Sequence, residues 1–177
     1  YSGLVKAHKT AKACGIKLIC GAEFVLDEAP LLTDTDTPGS RCRLILLAPN
    51  RQAYGQISSL ISKLRKQSDK GTYYLTRHDL QVGLSECLGI WICEGQGVEQ
   101  LSALGAHLQS LIPRLWIGLG LFHDGQDLHK TASALTLSSA LKLPIVAVND
   151  VHTHCPERQG LQNIVSAIRL KTDIHSL

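Results

Sequence analysis

The sequence contains no methionine, only 5% aromatic residues and no Cys-x-x-Cys pair. A chain that opens on Tyr1 with no initiating methionine is expected to be a piece of a longer protein. Removal of a leader is the weaker explanation, because the chain opens on a helix-like stretch with no preceding strand, and YSGLVKAHKTAK itself lacks the apolar core of a signal peptide. Without paired Cys-x-x-Cys a zinc ribbon is disfavoured. No apolar run approaches the roughly 18 residues that span a bilayer, so no membrane partner is expected. Charge of one sign is also scarce: 18 Lys and Arg face 15 Asp and Glu, a formal net charge of +3. That balance excludes a strongly basic nucleic-acid arm and an acidic tail. Neither GxGxxG nor a GxxxxGKS/T phosphate loop occurs, which removes the usual signs of an open nucleotide-binding sheet.

What is present reads as a globular chain. Apolar residues make up 44% of the 177, enough for one sizeable core and too many for disorder. The six cysteines fall in unrelated settings. Cys14 ends a helix-like stretch, Cys20, Cys42 and Cys93 lie in or beside strand-like runs, and Cys87 and Cys155 lie in loops. They are read as thiols of a cytoplasmic protein.

Periodicity predicts helices over residues 2–14, 52–66, 97–110, 126–141 and 157–169, and strands over 16–20, 44–48, 88–93, 115–121 and 144–148. Thr76 followed by Asp79 resembles a capping box opening a short helix. Residues 27–40 form a polar loop, and Gly95-Gln96-Gly97 reads as an ordinary turn. Alternation of helices with short apolar strands predicts an α/β fold with a parallel sheet, either open or closed into a barrel. A barrel gathers its chemistry at the C-terminal ends of its strands, where many ionisable residues of this chain fall.

The sharpest such feature is Asn149-Asp150-Val151-His152-Thr153-His154, directly after the strand PIVAV. In extended backbone alternate side chains share a side, so Asp150, His152 and His154 would project together. A carboxylate and two imidazoles suit a divalent transition metal, and a polar loop with incidental histidines is the alternative. Glu23, after IKLIC and the small pair Gly21-Ala22, is the second candidate for the same rim. His8 is expected to be packed on an apolar helix face, and His123 either lines the rim or sits in a loop. Lys63, Arg65, Lys66 and Lys70 read as a solvated helix end, with contact to a phosphate backbone as the alternative.

Taken in order, these blocks resemble the PHP (polymerase and histidinol phosphatase) domain of bacterial C-family DNA polymerases, over nearly the whole chain. YSGLVKAHKTAKACGIKLICGAEF looks like the approach to that family's Gly-x-Glu motif. RLILLAPNRQAYGQISSLIS and GTYYLTRHDL are similar to its next segments. PIVAVNDVHTHCPERQGLQNIVSAIRL resembles its Asp-Val-His motif and following helix. WIGLGLF and DVHTH look closest to the error-prone, damage-tolerant branch.

The resemblance implies a partial, distorted (β/α)7 TIM-like barrel over residues 1–177, a single PHP domain lacking its first strands. Polymerase palm, fingers and thumb would lie beyond the C-terminus, and with them the polymerase carboxylates. Glu23, Asp150 and His152 fall on family metal-ligand positions, and His154 is a feature of the error-prone branch. Zinc or manganese would be the metal there, and magnesium the metal of the parent polymerase. By that resemblance the family's paired His-x-His and its next acidic and histidine ligands would belong to strands before Tyr1. Arg43 stands where replicative members often carry His, and Gly120 where relatives often carry Glu, so a degenerate site is expected. Implied partners are DNA and nucleotides, with a sliding clamp and accessory mutagenesis proteins as further expectations. Three functions follow: part of an error-prone polymerase, a metal-dependent phosphoesterase, 3′–5′ exonuclease or histidinol-phosphatase-like hydrolase, or a non-catalytic structural module.

Overall fold

A computed structural model describes residues 3–26, 42–69, 73, 75–93, 98–123 and 125–176. The chain divides into two compact units, Tyr1–Ala147 and Val148–Leu177. The loop expected over 27–40 and the Gly95-Gln96-Gly97 turn lie outside the described residues.

The first unit is a five-stranded sheet with helices between its strands. Its strands are β1 (Cys20–Leu26), β2 (Cys42–Ala48), β3 (Leu88–Ile92), β4 (Arg114–Leu119) and β5 (Ile145–Ala147), hydrogen-bonded in that order. Its helices are α1 (Leu4–Ala13), α2 (Arg51–Gln67), α3 (Val98–Leu111) and α4 (Asp127–Leu141). Apart from the first strand, each expected helix and strand of this unit is present, with ends shifted by one or two residues, as hydrogen-bonded boundaries commonly are.

Helix α2 shows how local sequence sets an element. Asn50 is extended at the N-cap, and its side-chain oxygen accepts the Ala53 N–H at 2.8 Å. Its amide donates to Glu86 Oε2 at 3.0 Å, tying the helix start to the segment that enters β3. Ala53, Ile57, Leu60 and Leu64 recur at helical spacing and are fully buried. Replacing Asn50 by Ala removes both bonds and is expected to cost about 1 kcal/mol in chemical denaturation.

One face of the sheet is packed. Phe24, Leu26, Leu44, Leu46, Trp91, Leu115 and Ile117 join helix residues such as Ile57, Leu60, Leu104, Leu108 and Leu137 in a single core. Alternate strand residues, among them Glu23, Val25, Arg43, Ile45 and Ile90, lie on the other face and are less buried. Gly105 of α3 makes the close packing possible. A Cβ there would stand 2.4 Å from Leu141 and 2.7 Å from the Trp91 ring.

Two expectations are corrected. The sheet is not uniformly parallel: β2 is antiparallel to both β1 and β3, while β3, β4 and β5 are mutually parallel. The cause lies in the connections. No described helix separates β1 from β2, so the two pair as neighbours in an antiparallel ladder. Between β2 and β3 the chain makes two passes. Helix α2 carries it to the far end of the sheet, where Leu75 bridges Leu26, and residues 75–87 return it to the start of α2. Two passes bring β3 in beside the end of β2, with Leu88 opposite Leu47.

The first strand is also displaced. Residues 16–19 are not strand, and β1 runs residue for residue along β2 from Cys20 opposite Ala48 to Leu26 opposite Cys42. Gly21 permits this pairing, since a Cβ there would meet the Leu46 carbonyl oxygen at 2.8 Å. Among the described residues the sheet is open, with β1 and β5 as its end strands. The described strands therefore stop short of the expected barrel, whose closure would need further strands.

The second unit holds a 3₁₀ turn (Pro156–Arg158), α5 (Gln159–Leu170) and a second 3₁₀ turn (Ile174–Ser176). Pro156 opens the first turn, where its missing N–H costs nothing. Among the described residues no helix is long and apolar enough to cross a membrane.

Candidate metal centre

Glu23 lies in the middle of β1, not at its C-terminal end. It pairs across the ladder with Ile45, while Arg43 is opposite Val25, so Glu23 and Arg43 are diagonal neighbours on the more open face. Their side chains meet, with Arg43 Nη1 at 3.7 Å from Glu23 Oε1. Glu23 is about half exposed (47%) and Arg43 largely covered (17%). A pair so placed contributes well under 1 kcal/mol to stability. Its consequence is chemical: the carboxylate expected to receive a divalent cation already has a guanidinium beside it.

Asp150 and His152 belong to the second unit. The backbone through Val151 is not helical, and the alternation expected from the sequence brings the two side chains together. His152 Nε2 stands 3.5 Å from Asp150 Oδ2. His154 lies in the bend leading to the 3₁₀ turn.

Within neither unit, among the described residues, do three His, Cys, Asp or Glu side chains gather as a metal site requires. Glu23 lies in one unit and Asp150, His152 and His154 in the other, and neither set by itself supplies three gathered ligands among the described residues.

The other histidines separate from the site. His8 is exposed, against the expectation of packing, because no residue of α1 is buried. His123 adopts a left-handed backbone (φ 57°) with its side chain in solvent. That conformation lets Asp127 accept the backbone N–H groups of Phe122 (3.1 Å) and His123 (3.0 Å) at the start of α4. His107 places Nε2 in the interior with no hydrogen-bond partner among the described residues.

The basic stretch at the end of α2 is partly committed. Lys63 Nζ contacts Asp79 Oδ1 at 2.9 Å, and the Arg65 guanidinium lies 5.9 Å from the centre of the Tyr73 ring. Asp79 is the one buried polar or charged residue among those described. It also accepts from Thr76 N (3.2 Å) and Thr76 Oγ1 (2.8 Å), which realises half of the expected capping box. Burial raises its carboxyl pKa, but the bonds from Lys63 and Thr76 outweigh that and hold it below the ordinary value. Sequence reading missed the Lys63 partner, since residues 63 and 79 meet only through the return of the chain after α2.

The first unit is thus a mixed α/β sheet and the second holds the Asp150–His152 pair, and neither alone names a reaction. No family model matches the chain. Its similarity is to proteins named error-prone DNA polymerase. The Methylococcus capsulatus polymerase is 40% identical over 171 residues, 96% of this chain and 15% of that protein. The Pseudomonas aeruginosa polymerase is 37% identical over 169 residues, 95% of the chain and 15% of the relative. For the Dechloromonas aromatica polymerase the values are 34% over 179 residues, 98% and 16%. The chain therefore spans only about 15% of the length of the curated relatives it matches.

Proposed function

We propose that the chain is the PHP-type part of an error-prone DNA polymerase, in which it acts as a structural module with a degenerate metal site. The observation that carries this reading is the similarity of nearly the entire chain to proteins of that name, at 34–40% identity in the three relatives above. The whole protein would join nucleotides to a primer on damaged DNA with magnesium, through carboxylates outside residues 1–177. It would work in the cytoplasm, with DNA and nucleotides as its substrates and a sliding clamp or accessory mutagenesis proteins as candidate partners. The (β/α)7 barrel is the fuller form we propose for the open sheet.

The Arg43–Glu23 contact supports the structural role over hydrolysis. A metal-dependent phosphoesterase needs clustered cations to activate water and bear phosphate charge. A resident guanidinium beside one ligand position opposes that by like-charge repulsion. The test uses the full-length polypeptide. Primer extension past a damaged template base is expected, and its absence would overturn the polymerase reading. Metal analysis is expected to find clearly less than one zinc or manganese per chain, rising in Arg43→His. One full equivalent in the unchanged protein, with phosphodiester hydrolysis lost in His152→Ala, would establish the hydrolase instead.

A further inference from the structure

We propose that Cys42 and Cys93 are a redox pair, forming a reversible disulfide that ties β2 to β3. The placement follows from the ladder. Arg43 is opposite Ile92 and Leu44 opposite Trp91, so one further step of the same antiparallel register sets Cys93 across from Cys42. Strand alternation agrees. Cys42 shares the packed face with Leu44 and Leu46, and Cys93, two residues past Trp91, packs against the same core. Directly opposed residues of an antiparallel pair have Cα atoms about 4.5–5.5 Å apart. That interval falls within the 4.4–6.8 Å, roughly, over which disulfides form.

No other two cysteines stand opposite each other in the described strand registers. Cys20 faces Ala48, and Cys87 directs its sulfur toward Ala53 O and Gln56 Oε1. The pair is also graded in access. Cys42 is buried (1% exposed), whereas Cys93 is only partly covered. A soluble disulfide such as oxidised glutathione therefore meets Cys93 first. The Cys93 thiolate attacks one glutathione sulfur, releasing one reduced glutathione and leaving a mixed disulfide. The Cys42 thiolate then attacks the Cys93 sulfur and expels the second glutathione. Two protein thiols and one oxidised glutathione become one protein disulfide and two reduced glutathiones.

The link would lock β2 to β3 beside Arg43, the residue that meets Glu23. It joins strands already paired, so it changes how firmly they are held and not which strands pair.

The experiment incubates the full-length native polypeptide with oxidised glutathione, caps remaining thiols by alkylation, and maps cross-linked peptides by fragmentation mass spectrometry. A Cys42–Cys93 link is expected at about tenfold the yield of any other cysteine pair, because neighbouring thiols react at a high effective concentration. Dithiothreitol should return both thiols. The link should vanish in Cys93→Ser, and in Cys42→Val where that buried change folds. In urea the preference for this pair should disappear. A mixed disulfide on Cys93 with Cys42 still alkylated, or cross-links scattered without preference in the native protein, would overturn the proposal.

Discussion

Trp91→Ala is expected to destabilise the first unit by about 3–5 kcal/mol, the largest single effect in the molecule. Trp91 heads the fully buried side chains by size and sits at mid-sheet in β3, against α3. Its ring fills the space that Gly105 leaves open, and its removal leaves a cavity bounded by elements that cannot all collapse into it. The indole Nε1 has no hydrogen-bond partner among the described residues. Trp91→Phe therefore discards an unpaired buried donor along with volume, and its cost should fall well below that of the Ala change. Urea denaturation followed by circular dichroism measures both. Equal losses for Phe and Ala would show that the indole nitrogen is satisfied in solution.

Asp79→Ala is expected to cost about 2 kcal/mol at neutral pH, since it strands Lys63 and leaves the Thr76 donors unmet. The effect should depend on pH with a definite sign. The Asp79 carboxyl pKa is lower in the folded protein than the ordinary value. Its stabilisation is thus complete above the unfolded pKa, near pH 4, and is lost as pH falls through the folded value. Denaturation of the parent and of Asp79→Ala should differ most above about pH 5 and converge toward pH 2. A difference that stayed constant across that range would locate the contribution in packing and not in the charge.

Most helices and strands were legible because their apolar spacing is strong. Ile57, Leu60 and Leu64 mark α2, and Leu101, Leu104 and Leu108 mark α3, without any tertiary information. Strand direction was not legible. The reversal of β2 depends on a two-pass connection whose return leg, residues 75–87, has little regular structure to announce it. Glu23 was misplaced for a related reason. IKLIC is apolar enough to read as a strand, but the pairing that defines β1 is set by β2, so the strand starts at Cys20.

At the site, spacing foretold the Asp150–His152 contact, because two residues apart on extended backbone is a local geometry. His154 falls in the bend just before the 3₁₀ turn that opens at Pro156, where the alternation of extended backbone no longer applies. The Arg43–Glu23 contact needed the register of two strands, and only a diagonal across β1 and β2 reveals it.

The reversed strand has a consequence for how the chain tolerates change in length. Because β2 alone runs against its neighbours, its two connections open on opposite rims of the sheet. Residues inserted between β1 and β2 add bulk at the rim where β3 and β4 finish, next to Arg43. Residues inserted at either end of the β2–β3 connection, just after Ala48 or just before Leu88, add bulk at the other rim, near the cap formed by Asn50 and Glu86. Evolution can therefore lengthen one border of the sheet to meet a neighbour while the opposite border keeps its outline.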